Sequence, residues 1–208
     1  MLQRFLLDAN QGEVIVAVNR LDEFCETATD LFEGSKVRYL IVEGVAVSPI
    51  GEPRMTQDIG LIASIQKEDV RRFLEAASQR GFESDIEKES ERVERTGTFV
   101  LKSGFFRADV IIASIPLEES AFGRSQRVRF MNRMASFASP EELVLFKIIV
   151  GRDNDMFDAK SIAIRHKGRL DRAYLEKWAQ AITDEAEDMA IWRRLMRVLE
   201  EEERLEWD

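Results

Sequence analysis

The sequence predicts an α/β (α+β) fold: a mixed β-sheet core with flanking helices over residues 1–138, then an all-helical C-terminal region over residues 139–208 packed on that core. Three observations point there. Strand-like apolar runs alternate with helix-period segments as far as Phe137. From Ser139-Pro140-Glu141-Glu142 onward only helical periodicity remains, with no low-complexity linker between the two parts. Between Tyr39 and Ile65 an apolar strand, a glycine, a small apolar segment and a Gly/Pro turn lead into a second strand that carries an acid.

The elements follow in order. Met1–Leu7 and Val14–Val18 are apolar runs around a turn-rich spacer, which reads as a hairpin. From Asn19 the period becomes helical, with Leu21, Phe24, Cys25, Ala28, Leu31 and Phe32 on one stripe and Gly34 expected as a left-handed cap. Cys25 on that stripe is a core residue rather than a nucleophile. Arg38–Val42 reads as a strand, Gly44–Ile50 as a short helix, Gly51-Glu52-Pro53 as a turn and Thr56–Ser64 as the acid-bearing strand. Gln66–Gln79 is a helix closed by Gly81, and the charge-dense stretch Glu83–Arg95 is a loop or an exposed helix. Thr98–Lys102 and Phe105–Ala113 form a hairpin about Ser103-Gly104. Pro116–Phe122 is a brief helix, and Gln126–Met131 and Met134–Phe137 are strands. Ser139, Pro140 and Glu142 predict an N-cap, a first-position proline and a capping box for a helix that runs to Gly151. Asn154–Arg165, Asp171–Ile182 and Thr183–Glu206 read as three further helices, and the run Glu200–Glu203 as a solvated helix end. Trp178, Trp192 and Trp207 fit core packing better than base stacking.

Composition excludes several function classes. Of 208 residues, 39 are Asp or Glu and 30 Lys or Arg, a net charge of −9, which argues against a dedicated nucleic-acid surface. A single cysteine and a single histidine, Cys25 and His166, exclude an intrachain disulfide and any multi-cysteine or multi-histidine metal centre, and make a Ser-His-Asp triad a poor match. No apolar run reaches the roughly 18 residues of a membrane span, and Asp8 interrupts the N-terminus too early for a signal peptide, so the expected location is cytoplasmic. There is no Walker-type lysine loop and no dinucleotide glycine fingerprint.

The chemistry available lies on the acid-bearing strand. Residues two apart on a strand share a face, so Asp58 and position 60 are same-face neighbours, and Asp109 on a nearby strand is the natural third member of a carboxylate group. Position 60 is glycine and supplies no ligand. Two acids suffice for one Mg2+, with water and phosphate completing the octahedron. Removing a direct ligand should cost at least the roughly 10–100-fold that outer partners are worth. Glu43, just before Gly44, sets a carboxylate beside any polyanion that approaches the glycine. It either replaces the missing ligand or simply caps the following segment.

The stretch Glu43-Gly44, Arg54-Met55-Thr56-Gln57-Asp58-Ile59-Gly60, Asp109 and the later Ser139-Pro140-Glu141-Glu142-Leu143, Lys147, Gly151, Arg152, Asp155 and Asp158 resembles the polymerase-β-like nucleotidyltransferase superfamily. The likeness is to its small bacterial abortive-infection and minimal-nucleotidyltransferase branches, and spans roughly Arg38 to Ile164. In that pattern a Gly-Gly or Gly-Ser pair opens the helix and Asp-x-Asp follows an Arg-x-Thr; here Glu43 stands for the first glycine and Gly60 for the second aspartate. The resemblance implies transfer of a nucleoside monophosphate from an NTP to an acceptor with Mg2+ or Mn2+. Asp58 and Asp109 would be catalytic and metal-binding, Gly44 and Lys147 would meet phosphate, Arg54 would lie near the nucleotide, and Thr56 would support the turn. It also implies an inactive homologue that serves as a binding or regulatory module with a protein partner, in a toxin–antitoxin or phage-defence system; apart from the resemblance, the N-terminal hairpin offers a structural homo-oligomer as a third reading. For Lys147, Arg152, Asp155 and Asp158 a nucleotide role and an internal salt-bridge network stand side by side.

Overall fold

The computed structural model of the chain describes residues 21–44, 58–130 and 132–204. The expected N-terminal hairpin, the segment 45–57 with Arg54 and Thr56, and Trp207 lie outside the described residues.

Eight helices and six strands are described. α1 (Leu21–Gly34) buries Phe24, Cys25, Ala28, Leu31 and Phe32, the stripe the spacing predicts. Its left-handed residue is Lys36, at φ 56°, and not Gly34; the Val37 N–H reaches back to Phe32 O at 2.9 Å and closes the turn. β1 (Arg38–Gly44) and β2 (Asp58–Ser64) follow, then α2 (Lys67–Ser78). The charge-dense stretch is a regular helix, α3 (Ile86–Thr96), opened by the Asp85 carboxylate on Lys88 N and closed by Gly97 at φ 65°. It holds to the sheet by Val93 and by Glu89, which is buried and accepts the Val100 N–H at 2.9 Å. β3 (Thr98–Ser103) and β4 (Phe106–Ile112) form the expected hairpin, α4 spans Pro116–Gly123, and β5 (Gln126–Phe130) and β6 (Arg133–Phe137) make a second hairpin.

The sheet order is β3-β4-β2-β1-β6-β5. β1 runs antiparallel to β2, while β2–β4 and β1–β6 are parallel pairs, so the sheet is mixed as expected. Strands distant in sequence therefore meet at its centre. The helical part comprises α5 (Pro140–Val150), α6 (Asp153–Arg165), α7 (Arg172–Ala186) and α8 (Met189–Arg204). One hydrophobic cluster runs from Phe24 through Leu61 and Val110 to Leu145, Ala179 and Leu199, joining sheet and helices. Trp178 and Trp192 pack against it.

Three local expectations change. Ser139 precedes α5 but its hydroxyl caps no backbone N–H; it lies 2.7 Å from the Glu141 carboxylate and also bonds Glu142. The break between the last helices falls at Glu187, in the left-handed region at φ 53°, so Thr183 belongs to α7. Glu202 is no solvated end: it is 3% exposed and accepts from Gly168 N at 2.9 Å and from Arg172 at 3.1 Å. Gly151, at φ 70°, ends α5, and a Cβ there would fall within 2.2 Å of the Arg194 guanidinium, which donates to Ile148 O at 3.0 Å. Among the described residues no helix is long and apolar enough to cross a membrane.

Candidate functional site

The residues singled out on β1, β2 and β4 meet on one face of the sheet. In the β2–β4 ladder Asp58 stands opposite Arg107 and Gly60 opposite Asp109, so Asp58 and Asp109 are diagonal neighbours. In the β1–β2 ladder Glu43 stands opposite Gly60. The two positions at which the sequence departs from the resembled pattern are therefore cross-strand partners. A register shift between Ile41 and Glu43 crowds them: a Cβ built on Gly60 would lie 2.5 Å from the Glu43 Cβ. Ordinary cross-strand Cβ atoms stand about 4.5–5.5 Å apart. Gly60 has an ordinary backbone conformation, so only the Glu43 side chain keeps it bare. The face loses a carboxylate on β2 and carries one on β1.

Two of the acids on this face, Asp109 and Glu43, each meet a cation. Arg107, two residues before Asp109 on the same strand face, hydrogen-bonds the Asp109 carboxylate. That bond, with the negative charges of Asp109, Asp58 and Glu89, raises the Arg107 pKa against the opposing effect of burial. Glu43 leans the other way, its Oε1 3.6 Å from Lys147 Nζ and 4.0 Å from the Arg152 guanidinium. Lys147 projects inward from α5 and is 2% exposed, with Asp155 at 3.0 Å and Asp158 at 3.1 Å on the facing turn of α6. Arg152 closes on Asp155 at 2.6 Å. Burial opposes the Lys147 charge, but Glu43 and the bonds to Asp155 and Asp158 lift its pKa above the ordinary lysine value. Burial likewise opposes the Asp155 charge, yet its bonds from Arg152 and Lys147 hold its carboxyl below the ordinary range. These four residues form a salt-bridge network that ties α5 and α6 to β1.

Gly44 is the last residue of β1, which runs two residues past the expected Arg38–Val42, where the sequence predicts the start of a short helix; Arg54 and Thr56 lie outside the described residues. Sequence reasoning missed Arg107; a basic residue two positions before Asp109 in a strand is the signal that finds it. As arranged, the face does not fit the carboxylate cage that Mg2+ or Mn2+ transfer chemistry asks for. Position 60 offers no ligand, Asp109 is bonded to a guanidinium, and no group of three or more acidic, histidine or cysteine side chains suited to a metal occurs among the described residues.

No family model matches the sequence, and no curated protein does either. Solved structures do. The lincosamide antibiotic adenylyltransferase LnuA, with lincomycin bound, matches at 16% identity over 74% of this chain and 99% of its own, with a TM-score of 0.49. An antigenic nucleotidyltransferase-like protein from Paracoccidioides brasiliensis matches at 15% identity over 84% and 93%, also with a TM-score of 0.49. The antibiotic-resistance factor ANT(2'')-Ia matches at 12% identity over 80% of this chain and 94% of its own, with a TM-score of 0.54. At these identities the likeness is one of fold, and the mixed six-stranded sheet with its helical C-terminal part agrees with it. What the comparison shows for this chain is a fold shared with ANT(2'')-Ia.

Proposed function

We propose that this chain is a nucleotidyltransferase-like protein in which metal-dependent transfer has given way to a binding or regulatory role with a protein partner. The observation that carries the reading is the pairing of the acids that would hold metal: Arg107 on Asp109, and Lys147 with Arg152 on Glu43. A divalent ion would have to displace a guanidinium from Asp109, and would still find no carboxylate on Gly60. The resemblance to small bacterial abortive-infection proteins supports a partner in a toxin–antitoxin or phage-defence system.

One observation favours a second reading, transfer of NMP from an NTP to a hydroxyl or phosphate acceptor. Glu43 sits over Gly60, so three carboxylates from Glu43, Asp58 and Asp109 still border one face. Thermal unfolding with each NTP in turn, with Mg2+ or Mn2+, separates the two. A nucleotide at about 100 times its dissociation constant would add about 2.7 kcal/mol, a rise of roughly 5–10 °C for a chain of this length. The binding-module reading expects no metal-dependent rise. A rise that needs metal and vanishes in Asp58→Ala would overturn it and favour the transferase reading.

A further inference from the structure

The candidate face lies at the Glu43 end of β1, where β2 begins. The opposite end of the same two strands, at Val37 and Ser64, borders a cleft of about 570 Å³ between the α1–β1 turn and α2. Seven residues of strand separate the two ends, a length of roughly 20 Å. Three cations line the cleft, Lys36, Arg72 and Arg80, against one acid, Asp69. Among the described residues no carboxylate pairs with any of the three. The nearby acids are engaged elsewhere, Glu33 by Arg127 at 2.8 Å and Glu75 by Arg71 at 3.7 Å. A locally positive cleft in a chain of net charge −9 is thus left without an internal counterion.

Two further features suit it to a ligand. Ser35, Ser64 and Gln66 add neutral donors, while Ile65 and Phe73 form a buried apolar floor. Lys36 holds a left-handed backbone at φ 56°, a conformation glycine would adopt with less strain, and this lysine stands on the rim of the cleft. Convergent charge above an apolar floor in a cleft of this size is the make-up of a small-molecule site.

We propose that this cleft binds a small organic phosphate, its anionic group among Lys36, Arg72 and Arg80 and its apolar body on Ile65 and Phe73. The site is independent of the Asp58–Asp109 face and needs no metal.

The test is isothermal titration calorimetry of the full chain with phenyl phosphate and, separately, inorganic phosphate, in chloride buffer at low salt with a chelator present. Phenyl phosphate should bind, and more tightly than inorganic phosphate. Arg72→Glu should weaken it by about tenfold or more, the worth of one charge-assisted contact. Lys36→Gly should also weaken it while raising the unfolding midpoint, because the backbone strain is relieved; this separates lost binding from lost folding. Asp58→Ala should leave binding unchanged, so the result stands whichever reading of the other face holds. Absence of binding at millimolar phenyl phosphate, equal binding of the two probes, or indifference to Arg72→Glu would each overturn the proposal.

Discussion

The contact between positions 43 and 60 makes a quantitative prediction. Gly60→Ala adds one methyl group whose carbon would begin 2.5 Å from the Glu43 Cβ and 3.1 Å from its Cγ. Carbon atoms rest about 3.5–4.0 Å apart, so the overlap is about 1–1.5 Å. The Cβ is fixed to the backbone and no rotamer of Glu43 relieves the clash; the strands must separate. Overpacking of this kind costs about 1–3 kcal/mol, which for a chain of this length lowers the unfolding midpoint by roughly 2–12 °C. Glu43→Gly removes an ion pair on a half-exposed side chain, worth about 0–1 kcal/mol, and adds the backbone freedom of glycine, about 0.5–1 kcal/mol. In Glu43→Gly/Gly60→Ala the clash is absent. The double variant should therefore be more stable than the sum of the single changes by about 1–3 kcal/mol. Urea unfolding of all four proteins, followed by far-ultraviolet circular dichroism, measures that coupling. A coupling below about 0.5 kcal/mol, within the scatter of independent sites, would refute the idea that one residue excludes the other.

Two further outcomes are expected. Lys147→Met strands the buried Asp155 and Asp158 without their ammonium and should cost about 3–5 kcal/mol near neutral pH, a midpoint drop of roughly 6–20 °C, measured by calorimetry. Because Asp155 is held below its ordinary value of 3.8, its contribution is present above that value and is lost as pH falls below it; Lys147, raised above 10.5, contributes fully below that value and loses its share above it. The deficit of the variant should shrink as pH falls below 3.8, and a pH-independent deficit would count against the pairing. Cys25 is 0% exposed and burial, reinforced by Asp22 and Glu26, pushes its thiol up to about 12. A disulfide reagent at pH 8 should meet about one thiolate in ten thousand and label the chain only as fast as it unfolds, whereas rapid labelling of the native protein would place Cys25 outside the core.

The sequence made local periodicity legible, and with it α1, the β3–β4 hairpin and the succession of helices after Ser139. It also singled out Asp58, Asp109 and Lys147 as chemically notable. What it could not carry is register. Glu43 and Gly60 look like two separate departures along the chain, and only the shifted β1–β2 ladder makes them neighbours. Arg107 hid for the same reason, since its effect on Asp109 depends on a shared strand face with nothing between them. Glu202 misled because a run of four acids reads as solvated; burial of that carboxylate needs Gly168 and Arg172, both more than a helix away. The α3 stretch has few apolar residues to reveal it, and a buried carboxylate, Glu89, does part of the work that apolar side chains usually do.

The Lys147 cluster also bears on how the molecule comes apart. A lysine at 2% exposure, held by carboxylates from β1 and α6, is comfortable only when all three elements are in place. An intermediate in which α6 had lifted from α5 would leave a bare ammonium facing apolar walls or admit water deep into the interior. Such half-open states are disfavoured from both sides, so the sheet and the α5–α6 pair should melt as one cooperative block. Loosening should begin instead where the structure lacks this ionic knot.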